Sequence, residues 1–266
     1  MTPTALRENV DREMREKLQP MRYSKKEQLA LACRMLAAEG HWANGLAGQI
    51  TARGDEPDTY LTLRFGLGAD EATPESFIVT DGELRALDGV SMPNPATRFH
   101  LWVYKHHPKV ESIVHTHPEG VSALSMIGRT IEISHMDATP FFENCAHLPE
   151  WPGLPITDDE GRIISQALGD KRALLLAHHG LLTAGHTIAE SAVLALWMEQ
   201  AAQVQLKAAA VGTIRPVPPE LARESRDFLL KPSITDLTFQ YFARRVLRAD
   251  PTCLQASPSH PTENSR

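Results

Sequence analysis

The residues best equipped for chemistry are His115 and His117, in the run Ser112-Ile-Val-His-Thr-His-Pro118. On an extended segment, side chains two apart project from one face, so these imidazoles are placed to share an ion. A second cluster, His178-His179-Gly180, closes the apolar run Leu174-Leu-Leu-Ala, just before a glycine that permits a sharp turn. A lone histidine in a strand is ordinarily a hydrogen-bonded structural residue. Two clusters that both close apolar, strand-like runs point instead to a three-histidine metal site. Neutral imidazole is the commonest metal ligand, and strand ends are rigid enough to aim it. Such a site keeps coordination positions open for a substrate.

Positioning these histidines takes a sheet and its covering helices. Strand-like runs occur at Gly48 to Arg53, Tyr60 to Arg64, Phe77 to Thr80, Ser112 to His117 and Ala173 to His178. Capping boxes at Ser24-Lys-Lys-Glu27, Thr157-Asp-Asp-Glu160 and Thr187-Ile-Ala-Glu190 predict helix starts, and Pro95 is placed to open a helix from about Ala96 to His107. A further helical segment is expected from Asp236 to Leu247 after the Pro216 to Pro219 break. Early hairpin-like strands followed by helix-separated ones predict an α/β or α+β domain with a covered central sheet. Residues 1–22 read as an N-terminal arm, 23–250 as one domain, and 251–266 as a disordered tail.

The bulk composition narrows the partners. With 266 residues and 42% hydrophobic content the chain can bury one large core. A net charge of −6 and no concentration of Lys or Arg argue against nucleic acid or an anionic membrane, and favour a small-molecule partner. Without a long apolar run or an apolar leader, the expected location is the cytoplasm. Cys33, Cys145 and Cys253 lack C-x-x-C spacing and read as reduced thiols.

Four ordered motifs then carry a resemblance. Gly45-Leu-Ala-Gly48-Gln49-Ile-Thr51-Ala-Arg53, Phe99-His100, His115-Thr-His117-Pro118 and His178-His179-Gly180 with Gly185 resemble the class II aldolase/adducin family over about Ser24 to Ala210. The resemblance implies a three-layer α/β/α sandwich with a mainly antiparallel sheet, usually in a homotetramer. It maps the metal ligands onto His115, His117 and His179, leaving His178 a neighbour. Sugar-phosphate aldolases of the family carry a glutamate that serves as metal ligand and general acid/base, and the matching position here is Ala96, within Pro93-Asn-Pro-Ala-Thr-Arg-Phe-His100. A methyl group can neither bind metal nor move a proton. Asn94 and Pro95 likewise replace the serines that would hold a phosphate.

Retained ligands without the base point to another metal reaction. The Pro93 to His100 run, with Ser134-His135-Met-Asp137-Ala-Thr-Pro-Phe141 and Leu230 to Ile234, resembles the aminocoumarin-antibiotic branch, which converts prenylated 4-hydroxyphenylpyruvate through the mandelate to the benzoate. That likeness implies a non-heme iron(II) dioxygenase acting on an aromatic 2-oxo acid and O2. Zinc or manganese in an aldolase or decarboxylase is the alternative, and a non-catalytic adducin-like scaffold the second. Arg98 or His100 is expected to pair with the substrate carboxylate. Phe141, Phe142, Trp42 and Tyr241 are candidate walls of an aromatic or prenyl pocket, unless they are simple core. Glu143 and Asp137 are possible polar contacts.

Overall fold

A computed structural model describes residues 3–154 and 156–255. Its centre is one seven-stranded sheet. In chain order the strands are β1 (Gln49–Arg53), β2 (Thr59–Leu63), β3 (Phe77–Asp81), β4 (Ser112–Thr116), β5 (Cys145–Leu148), β6 (Ala173–Leu176) and β7 (Gly180–Gly185). They lie in the order β3-β2-β1-β4-β7-β6-β5, and every pair is antiparallel except β5 with β6.

The strands are apolar on both faces because helices cover both. Ile113, Leu174, Leu176, Leu182 and Ala184 pack with Phe99 and Tyr104 of α3 (Arg98–His106) and with Ile164 and Leu168 of α5 (Asp158–Leu168). Their alternating neighbours Val114, Ala173, Leu175 and Leu181 face the opposite layer. That layer comprises α2 (Lys25–Ala38), α4 (Glu119–Met126), α6 (Ile188–Ala209) and α8 (Pro232–Ala249). The result is the expected three-layer sandwich. Two strands escaped the sequence reading: β5, and β7, which begins and ends on glycine.

Of the three expected capping boxes only Ser24 closes fully, its hydroxyl accepting from the Glu27 amide while Glu27 accepts from the Ser24 amide. Thr187 accepts from the Glu190 amide, but the Glu190 carboxylate turns to the His186 amide and to Arg172. The Thr157 hydroxyl instead meets the Glu160 carboxylate directly. Pro95 opens a short 3-10 turn, Pro95–Thr97, ahead of α3 rather than α3 itself.

The N-terminal arm is a helix, α1 (Pro3–Lys17), tied to the body by the Asp11–Lys231 ion pair. Helix α7 (Pro219–Leu229) was not foreseen, and α8 is longer than expected at both ends. Cys253 is buried in the core and Leu254 packs against it, so the chain stays packed to Leu254 despite the tail predicted from Pro251. Residues 256–266 of that expected tail lie outside the described residues. No helix among the described residues is long and apolar enough to cross a membrane.

One buried carboxylate seats the segment that follows His117. Glu199 of α6 is 4% exposed and accepts from the amides of Gly120 and Val121, at 2.8 and 2.9 Å, in the first turn of α4. Replacing Glu199 with alanine strands two buried donors, at a cost of about 2–4 kcal/mol. A urea unfolding midpoint unchanged in E199A would refute this role.

Candidate metal centre

His115 lies on β4 with Gln49 of β1 on one side and Leu182 of β7 on the other. Its Nδ1 is 2.7 Å from the Leu181 carbonyl oxygen, which can only accept, so Nδ1 carries the proton and Nε2 keeps its lone pair. His117, two residues on, leaves the sheet just before Pro118 and sets its Nε2 3.0 Å from that of His115.

The third imidazole arrives on the β6–β7 connection. His178 there takes a left-handed backbone, φ 55°, while its amide donates to the Ser125 carbonyl at the end of α4. That strained residue makes the turn assigned in the sequence to Gly180. Gly180 is needed for a different reason: a Cβ there would lie 2.4 Å from the Thr116 carbonyl oxygen and 2.7 Å from Cδ2 of His117. The close approach of β7 to β4 brings His179 over the other two rings, with centroids 4.7 Å from His115 and 4.6 Å from His117.

The three histidines form one cluster whose donor atoms all lie within 4.8 Å of one another. Two nitrogens bound at about 2.1 Å to one ion, roughly at right angles, sit about 3.0 Å apart. The His115–His117 spacing has that value. Burial holds all three rings neutral: His115 falls well below the usual histidine range, His117 is lowered, and His179 is lowered to about 4 by burial and by His117. Neutral, convergent lone pairs fit a divalent cation. Among the described residues no Asp or Glu joins them, and Ala96 stands in the 3-10 turn before α3.

The other expected site residues lie outside this cluster. Arg98 donates to Asp158 at 3.2 Å, and Trp102 donates to the same oxygen at 3.0 Å, on the α3–α5 side of the molecule. Arg98 is therefore engaged with its own carboxylate, and R98A should leave substrate KM within about twofold; a rise of tenfold or more would restore the sequence expectation. His100 is fully buried, its Nδ1 2.8 Å from the Thr51 hydroxyl, which is in turn 2.8 Å from the Tyr104 hydroxyl. Its Nε2 has no protein partner. Phe99 stands edge-on between the His100 and His115 rings.

His178 is exposed, outside the cluster. Phe141 is core, Tyr241 is half exposed against Phe242, and Phe142 lies under Arg223. Glu143 is held by Arg223 and Arg226, and Asp137 stands beside His135. Of the proposed wall, only Trp42 packs close to the site, against Gly48 beside His115. The sequence reading missed His41, fully buried, whose Nδ1 is 2.8 Å from the hydroxyl of Thr116, between His115 and His117.

The model of the class II aldolase and adducin N-terminal domain matches residues 27–206. The chain belongs to this family. A 4-hydroxy-3-prenylphenylpyruvate oxygenase/4-hydroxy-3-prenylbenzoate synthase of Streptomyces roseochromogenus subsp. oscitans is 30% identical over 237 residues, 88% of this chain and 86% of that protein. The decarboxylase NovR of Streptomyces niveus is also 30% identical, over 88% of this chain and 87% of its own. Among solved structures, L-fuculose 1-phosphate aldolase from Glaciozyma antarctica PI12 superposes with a TM-score of 0.81 at 25% identity, covering 91% of this chain and 99% of that one. The fold and the aminocoumarin-branch resemblance therefore stand.

Burial of histidines in this family member has a thermodynamic consequence. His41 and His100 are held down at about 3 by burial, against about 6.5 in the unfolded chain. As pH falls below 6.5 the unfolded state takes up these protons first, so stability is full above that pH and is lost progressively towards 3. The expected loss is up to about 1.4 kcal/mol per pH unit for each ring. Urea midpoints that stay flat from pH 7 to pH 5 would contradict it.

Proposed function

We propose that the protein is a non-heme iron(II) dioxygenase that oxidatively decarboxylates an aryl 2-oxo acid of the 4-hydroxyphenylpyruvate type, in antibiotic biosynthesis. The observation that carries this reading is a cluster of three neutral imidazoles that no carboxylate joins among the described residues. A retro-aldol step needs a base to remove a hydroxyl proton, and the position expected to supply it is Ala96. Oxidative decarboxylation needs no such base. Iron(II), when bound, supplies the electron-transfer chemistry towards dioxygen.

The protein's own contribution is orientation and exclusion. The Leu181 carbonyl fixes the His115 tautomer, and burial keeps the rings unprotonated at neutral pH. Phe99 and the α3 layer shield the inner side of the His115 ring from water. In the first step one O2 converts the aryl 2-oxo acid to the mandelate, releasing one CO2. In the second, one O2 converts the mandelate to the benzoate, releasing CO2 and water. The similarity to the prenylphenylpyruvate oxygenase over most of both chains supports a prenylated substrate.

Iron-loaded protein given aryl 2-oxo acids in an oxygen electrode should consume O2 in step with CO2 release. Turnover at the same rate under strict anaerobiosis would instead favour a zinc- or manganese-dependent lyase, the reading that the similarity to a decarboxylase supports. A homotetramer is proposed with it, to be checked by light scattering.

A further inference from the structure

A single hydroxyl fastens α3 to the sheet beside the metal centre. Oγ1 of Thr51 lies 2.8 Å from Nδ1 of His100 and 2.8 Å from the Tyr104 hydroxyl, two residues one turn apart on one face of α3. All three side chains are buried. Thr51 opposes Ile113 across β1 and β4, two residues along from the Gln49–His115 pair, so it stands on the face of the sheet that carries His115. The Arg53 guanidinium secures the far end of the helix, donating at 2.8 Å to the carbonyls of Tyr104 and Val110. Buried polar groups are costly to leave unpaired, so α3 cannot slide along β1 without stranding them.

This anchor fixes Phe99. The fully buried ring of Phe99, the residue before His100, meets the His100 ring at 4.5 Å and the His115 ring at 5.0 Å, with interplanar angles of 81° and 89°. Edge-to-face contacts between rings are directional, so any shift of α3 disturbs the contact on His115. His115 therefore has two supports. The Leu181 carbonyl, 2.7 Å from Nδ1, holds one edge of its ring, while Phe99 braces the ring from the α3 layer.

We infer that Tyr104, Thr51 and His100 form a positioning chain for the metal centre, acting on His115 through Phe99. This gives His100 a role from inside the protein, in place of the carboxylate contact expected from the sequence. It requires only that the three-histidine cluster hold a divalent ion, whatever reaction follows. Partners that orient a metal-bound histidine from behind commonly contribute about 10–100-fold in metal affinity.

The test is titration of metal-free protein with cobalt(II) under nitrogen, read by calorimetry and by the visible absorption bands of the bound ion. T51V keeps the shape of the side chain and removes both hydrogen bonds, and should lower cobalt affinity about 10–100-fold and shift the bands. T51S, which restores the hydroxyl, should return to within about threefold of wild type, and F99L should reproduce the T51V loss. Thr183 is the control: it is buried on β7, opposes Val114, and donates its hydroxyl to the Ser191 carbonyl at 2.7 Å. T183V should lower the urea midpoint and leave cobalt affinity and bands unchanged. If T51V does not fold, Y104F removes one of the two bonds and should lose about 3–10-fold. Affinity in folded T51V, or in Y104F where T51V fails, within about twofold of wild type would overturn the chain, as would a wild-type F99L or a T183V loss equal to that of T51V. Absence of cobalt binding in wild type would remove the metal centre itself, and the chain's role with it.

Discussion

Replacing His179 with alanine is expected to abolish stoichiometric metal binding and to lower turnover by about a thousandfold or more. The other two histidines sit two residues apart on one strand end, so they would hold an ion from one side only. His179 comes from a separate connection and would complete the donor set from another side. A metal contributes several kcal/mol to a rate at 1.36 kcal/mol per decade, so losing it removes at least about three decades. The partly exposed ring leaves no large buried cavity, so H179A should fold. Metal content near one per chain in folded H179A, by plasma emission, would show that the cluster does not hold an ion in this way.

The second large effect is expected from a single methyl group. In Gly180→Ala the new Cβ would meet the backbone oxygen of Thr116 at 2.4 Å and the His117 ring at 2.7 Å. A backbone atom in a paired strand cannot step aside as a flexible side chain can, so β7 and the His117 ring must shift together. Overpacking of this kind costs about 1–3 kcal/mol in stability, and misaligned ligands lose about 10–100-fold in metal affinity. Gly212→Ala, where nothing lies within 4 Å of the added atom, serves as control. Wild-type metal affinity in G180A would show that the close approach of the two strands does not set the site.

These two positions also show why part of the site was readable in the sequence. The His115–His117 pair declares itself because strand side chains repeat every two residues, and the apolar runs around both histidine clusters mark the strands that carry them. The turn at His178 was hidden because a non-glycine residue with positive φ has no sequence signature, while the glycine two positions on drew the assignment to itself. The engagement of Arg98 with Asp158 was hidden because the two residues lie 60 apart in the chain. The same holds for Glu199, whose acceptor role appears only when α6 lies across the start of α4.

The central claim is that this three-histidine cluster, which no carboxylate joins among the described residues, serves oxygen chemistry within a fold it shares with aldolases. Isotope transfer tests it most directly. Iron-loaded protein turning over an aryl 2-oxo acid under 18O2 is expected to form a product one carbon shorter that carries 18O from the gas. An unlabelled product, formed equally fast without oxygen, would contradict it.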